Sequence, residues 1–155
     1  MPDAMHLTAR FLHVTAVTLW IGYLATLAMV VLPAARGGQH ASNLGPVLQR
    51  LGPMRAMGVL VFLFGAWLVT ASGHSWSQLG QAGWGHAVSG SIALWAIITG
   101  LEHGMVLPSL KKGHQAVGEE RATLLRRGQQ AALVATLLGI AAVLLMTAAL
   151  LGGFV

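Results

Sequence analysis

Three stretches of this chain contain no Asp, Glu, Lys or Arg: Phe11 to Ala35, Ala56 to Leu101 and Gly128 to Val155. A helix or sheet facing water needs a charged or polar face, so these runs constrain the fold more than any other feature. About 20 residues at ~1.5 Å rise cross a hydrocarbon core of ~30 Å, and every run is long enough to do so. Charged residues make up only 8% of the 155 residues, against roughly a quarter in soluble domains. With 55% hydrophobic residues and a mean hydropathy of +0.71, a water-soluble globule is effectively excluded.

The runs divide into four helices, about Leu7 to Leu32, Met54 to Ser72, His86 to Leu110 and Gln129 to Leu151. The longest run breaks at the polar, Gly-rich stretch from Ser72 to Gly85, where Trp76 and Trp84 suit an interfacial aromatic belt. Spans two and three then form a hairpin, and Pro33 and Pro108 punctuate the ends of spans one and three. The apolar part of span one is too long for the short core of a signal peptide, and it is read as a permanent helix. The expected fold is all-α: a polytopic membrane four-helix bundle in one domain, residues 1–155.

Basic residues set the orientation. The loop between spans one and two holds Arg36, Arg50 and Arg55; that between spans three and four holds Lys111, Lys112, Arg121, Arg126 and Arg127. The 72–86 hairpin holds none, and Arg10 alone departs from the pattern. Both basic loops are expected in the cytoplasm of a cell inner (plasma) membrane, with both termini outside. The net charge of +5 is thereby explained by membrane orientation, with no nucleic-acid partner.

An internal repeat runs at a constant offset: Trp20 aligns with Trp95, Pro33 with Pro108, Arg36 with Lys111 and Gly38 with Gly113, and Val31-Leu32-Pro33 recurs as Val106-Leu107-Pro108. Each unit has two spans, so the halves are parallel and related by an axis along the membrane normal. A site at their junction draws on spans one and three.

An ionisable residue inside a span is costly and is a functional candidate by default. His13 lies in span one on a stripe with Val17, Trp20, Leu24 and Leu27. Two readings stand side by side: a neutral histidine bonded to a neighbouring helix, or an axial ligand to haem between helices. His86 at the start of span three and His74 at the end of span two, both near the outer face, are candidates for a second ligand. His86 matches His13 in depth to about 3 Å, although the strict repeat places Val88 opposite His13. Arg10, one turn before His13, is either a propionate partner or an interfacial anchor. Trp20 and Trp95 complete the cofactor-side residues, and His13 and His86 are the expected iron ligands.

Glu102 and His103 lie near the cytoplasmic face, on a stripe with Thr99, Trp95, Ile92 and Val88, bracketed by Gly100 and Gly104. That G-x-x-x-G spacing admits another helix, including one from a second copy in a homo-oligomer, or a flat ligand. The pair is read as a catalytic, proton-handling site, a second cofactor site, or a structural ion pair. His6, His40 and His114 read as solvated, and Met29, Met54, Met57 and Met105 as packing residues. There is no Cys, phosphate loop, H-E-x-x-H, nucleophile elbow or carboxylate pair, so hydrolytic and phosphoryl-transfer chemistry lacks support.

Leu12-His13-Val14-Thr15-Ala16-Val17-Thr18-Leu19-Trp20-Ile21-Gly22, Gly65-Ala66-Trp67-Leu68, Trp84-Gly85-His86-Ala87, and His103 followed by Lys111-Lys112 resemble the four-helix membrane protoporphyrinogen IX oxidases of haem biosynthesis. The same outline is similar to the copper-resistance D (CopD-like) membrane proteins. The resemblance implies haem b binding at the first-helix histidine, here His13. The oxidases' third helix begins His-Ala-Lys where this chain has His86-Ala87-Val88, a departure that touches porphyrinogen oxidation more than haem binding.

These readings converge on a membrane protein that binds one haem b, or two, and transfers electrons to or from a quinone or a small diffusible redox partner. The alternative is a copper or other cation permease with His13, His74 and His86 as an outer site and Glu102-His103 as an inner one.

Overall fold

The computed structural model describes residues 4–36, 49 and 56–150, and among them the regular structure is helical throughout. Helix α1 runs Ala4–Arg36, α2 Met57–Ala71, α3 Trp84–Gln115 and α4 Gly118–Leu150. Helices α1, α3 and α4 are long and apolar enough to cross a membrane; α2, at 15 residues, is apolar and shorter. Six hydroxyls inside the helices are satisfied locally: Thr8, Thr18, Thr26, Ser91, Thr136 and Thr147 each donate to the carbonyl four residues back. In an apolar medium this removes the cost of an unpaired donor.

Two boundaries differ from the sequence expectation. Neither Pro33 nor Pro108 ends its helix. Each sits just beyond a wide, π-helical turn, Leu27–Val31 in α1 and Glu102–Val106 in α3, closed by Leu32 N–H donating to Leu27 O and Leu107 N–H donating to Glu102 O. A proline ring clashes with the carbonyl four residues earlier, Met29 or Gly104 here, and the widened turn makes room for it. The stretch 111–128, expected as a loop, is also mostly helical. α3 continues to Gln115, and after the short connection Ala116-Val117 α4 begins at Gly118, whose φ of +59° lets the chain reverse.

The closest packing joins α1 to α2 and α3 to α4, with α4 also lying along α1; α2 and α3, expected as a tight hairpin, touch only lightly. Small residues on α4 allow its close approach. A Cβ on Gly128 would stand 2.8 Å from Ser109 Cβ on α3, and one on Gly139 would stand 2.8 Å from Ile21 Cγ1 on α1. Ala131, Ala132 and Ala135 continue that buried face. The core centres on Trp20, Leu24, Leu27, Leu32, Ile98, Val106, Leu110 and Leu125, while large apolar side chains such as Phe11, Met29, Leu63, Ile97 and Leu137 face outward.

Candidate functional site

α2 is the element on which the candidate residues converge. Its glycines Gly58 and Gly65 are two helical turns apart and therefore share a face. Gly65 receives the ring of His13: a Cβ there would stand 3.0 Å from His13 Cε1. His13 Nδ1 lies 3.1 Å from the carbonyl of Val61. A carbonyl only accepts, so Nδ1 carries the proton, and the neutral ring keeps its lone pair on Nε2. Gly65 lies about 9 Å from the end of α2 at helical rise.

Gly58, one face-repeat along, receives the two repeat-related tryptophans. The Trp20 ring lies against it, Cζ2 being 3.2 Å from a Cβ built there, and Trp95 Nε1 donates to its carbonyl at 2.8 Å. Phe62 lies against Trp95 with ring centroids 4.8 Å apart. Trp20 Nε1 in turn donates to Glu102 Oε2 at 2.9 Å, and Glu102 is fully buried. α1 and α3 thus meet through a buried polar contact at the junction where the repeat places a site.

Glu102 and His103 face different sides of α3. Glu102 points into the bundle, whereas His103 is exposed and its Nδ1 donates to Thr99 O at 3.1 Å. Consecutive helical residues diverge by about 100°, and Glu102, two turns beyond Trp95, is the one that shares its side. Gly100 and Gly104 are exposed with nothing within 4 Å of a built Cβ, so among the described residues no helix uses their close approach.

Nor do His13, His74 and His86 gather. His74 lies past the end of α2, its ring stacked on Trp84 at 3.9 Å. Ser72 Oγ gives its proton to Val69 O and so accepts from His74 Nδ1, at 3.0 Å. His86 is exposed, near the start of α3, and its backbone N–H donates to Gln81 O. Among the described residues there is no group of three or more His, Asp or Glu able to hold a metal ion, so the composite His13, His74 and His86 site of the permease reading is not formed. Arg10 and His114 are exposed; His40, Arg50 and Arg55 lie outside the described residues.

A haem asks less of a protein than a metal cage does: an imidazole whose Nε2 keeps a lone pair, held in one orientation by a bond at Nδ1. His13 meets this through Val61, and His74 meets it through Ser72. Sequence reasoning missed Gly58, Val61, Gly65 and Ser72 as partners; the Gly58 and Gly65 spacing was the signal for the first and third. No protein-family model matches this chain, and no curated protein and no solved structure matches it either.

Proposed function

We propose that this chain is a polytopic membrane protein that binds haem b through His13 and serves in electron transfer with a quinone or a small diffusible redox partner. The observation that carries the reading is the Nδ1–H bond from His13 to Val61 O, which fixes the ring and leaves Nε2 as a ligand. The haem, when bound, supplies the one-electron chemistry. The chain's own residues do the rest: Gly65 and Val61 orient His13, and the Trp20, Glu102 and Trp95 contacts hold α1, α2 and α3 together. His86 and His74 are the candidates for a second ligand, and Glu102 is the inner carboxylate proposed to handle protons. The resemblance of the first-helix motif to the four-helix porphyrinogen oxidases supports the same ligand.

The membrane setting has its own support. Three helices are long and apolar enough to span a bilayer. Lys111, Lys112, Arg121, Arg126 and Arg127 cluster around the connection between α3 and α4, while residues 72–83 carry no charge. By the excess of basic residues on the cytoplasmic side, the α3–α4 connection belongs in the cytoplasm at the inner membrane, with both termini outside. Two π-helical turns at the offset of the sequence repeat, each followed by a proline, support a duplicated two-helix unit.

An optical spectrum of the purified protein tests the function. The expected result is a Soret band that shifts on reduction, lost or strongly reduced in His13→Ala and unchanged in His114→Ala and His40→Ala. A His13→Ala protein with wild-type haem spectrum and stoichiometry overturns the ligand assignment, and a colourless protein that retains copper moves the reading to cation transport.

A further inference from the structure

Two shallow grooves adjoin on the surface where α3 passes its proline. One, about 390 Å³, is lined by His103, Leu107, Pro108, Lys111, Lys112 and Gln115. The other, about 180 Å³, shares Pro108 and Lys112 and adds Gly104, Met105, Leu124 and Arg127 among its walls. Together they are mainly apolar at one end, where His103 joins Met105 and Leu107 in the walls, and cationic at the other. Gly104 leaves the apolar end uncovered, since a Cβ there would meet nothing within 4 Å. Lys111, Lys112 and Arg127 are all exposed. Around the turn joining α3 to α4, five basic residues face two acidic ones, Glu119 and Glu120 in the first turn of α4.

Depth matters as much as charge. α3 has 32 residues, or about 48 Å at helical rise, against a hydrocarbon core of ~30 Å. If Trp84 sits at the outer interface, the core ends about 20 residues later, near Gly104, and Lys111 and Lys112 lie about 10 Å beyond, among the headgroups. The double groove therefore straddles the boundary between acyl chains and headgroups.

We propose that this double groove binds an anionic phospholipid, with its phosphate on Lys111, Lys112 and Arg127 and an acyl chain along Gly104, Met105 and Leu107. The proposal rests on the membrane part of the reading above and is independent of haem. Three cations offset both the lipid phosphate and the negative end of the α3 dipole. A zwitterionic headgroup would add a cation beside them, and a second copy of the chain would bring the same cations to the contact, so neither is complementary. A soluble phosphate would have no use for the apolar floor.

The test uses the full purified chain in a neutral detergent, titrated with phosphatidylglycerol, with phosphatidylcholine of the same chains, and with glycerol phosphate. Thermal unfolding and native mass spectrometry are read in parallel. Phosphatidylglycerol is expected to raise the melting temperature saturably and to remain bound in the mass spectrum, while the other two leave both unchanged. The double variant Lys111→Gln/Lys112→Gln is expected to raise the half-saturating phosphatidylglycerol concentration by roughly thirtyfold and Arg127→Gln by about fivefold. Lys111→Arg/Lys112→Arg retains binding, as does Arg36→Gln, which is off the groove. Equal responses to phosphatidylcholine, or an unchanged titration in the Gln double variant, overturn the proposal; an equal response to glycerol phosphate overturns it in favour of a soluble phosphate ligand. Loss of the Soret band in His13→Ala does not bear on any of these readouts.

Discussion

The indole Nε1 of Trp20 donates to Glu102 Oε2 across 2.9 Å, tying α1 to α3 between two buried side chains. Trp20 also lies on Gly58, whose carbonyl takes the Nε1–H of Trp95, so three helices are fixed through one glycine and one carboxyl group. Buried polar bonds of this kind register helices against one another, because sliding leaves a donor unpaired in an apolar interior.

Trp20→Phe removes the N–H while keeping an aromatic ring, and is expected to cost about 1–3 kcal/mol of stability in detergent by depriving Glu102 of that donor. Glu102→Gln keeps an acceptor and should cost less. In a double-mutant cycle the two changes should be non-additive; additivity within about 0.5 kcal/mol would show that the bond contributes nothing.

Gly100 and Gly128 predict opposite outcomes for the same change. Gly128→Ala pushes a methyl group to 2.8 Å from Ser109 Cβ and should destabilise by about 1–3 kcal/mol through overpacking between α3 and α4. Gly100→Ala meets nothing within 4 Å and should be neutral or stabilising by up to about 1 kcal/mol, since alanine is the better helix former. Chemical unfolding of both variants in mixed micelles checks the ordering.

Gly65→Val would displace the His13 ring, which already lies 3.0 Å from the position of a Cβ. The expected result is loss of the bond to Val61, visible as a shift of the His13 ring nitrogens in nitrogen-15 spectra, together with a fall in bound haem. Gly73→Val is unsuitable as a control because φ there is +77°, so Gly80→Ala, with open space around it, serves instead. A His13 ring signal unchanged in Gly65→Val would count against the packing on which the ligand geometry depends.

The absence of cysteine makes orientation directly testable. Ser77→Cys, in the uncharged connection between α2 and α3, should react with a membrane-impermeant maleimide in intact cells. Gln115→Cys, at the basic end, should react only after permeabilisation. The reverse pattern would invert the topology and move His13 to the inner half.

Much of this architecture was legible in charge-free runs alone. They located four apolar helices, and the paired tryptophans and prolines marked corresponding points on α1 and α3. The ends of the helices were not legible, because hydropathy marks where a helix meets lipid and is blind to the polar continuation of the same helix past Leu110 or before Gln129. Adjacency misled at Glu102 and His103, where the backbone sends neighbours to different sides. His13 was identifiable from its depth, but its partner is a backbone carbonyl, which leaves no trace in a pattern of side chains.

The two π-helical turns act as phase shifters. Each holds one residue more than an α-helical turn, so everything beyond it is rotated by about 100° from where an uninterrupted helix would carry it. Beyond Val106 this offset brings Leu110 to full burial and Gly113 against Leu125 of α4, with Lys111 and Lys112 turned outward. The helix therefore presents one set of neighbours along its apolar length and another at its basic end, a division that a single uniform stripe could not encode. Loss of one residue between Val106 and Leu110, with the π-helical turn kept, would swing Lys111 into the buried place of Leu110. At this point residue number matters more than residue identity.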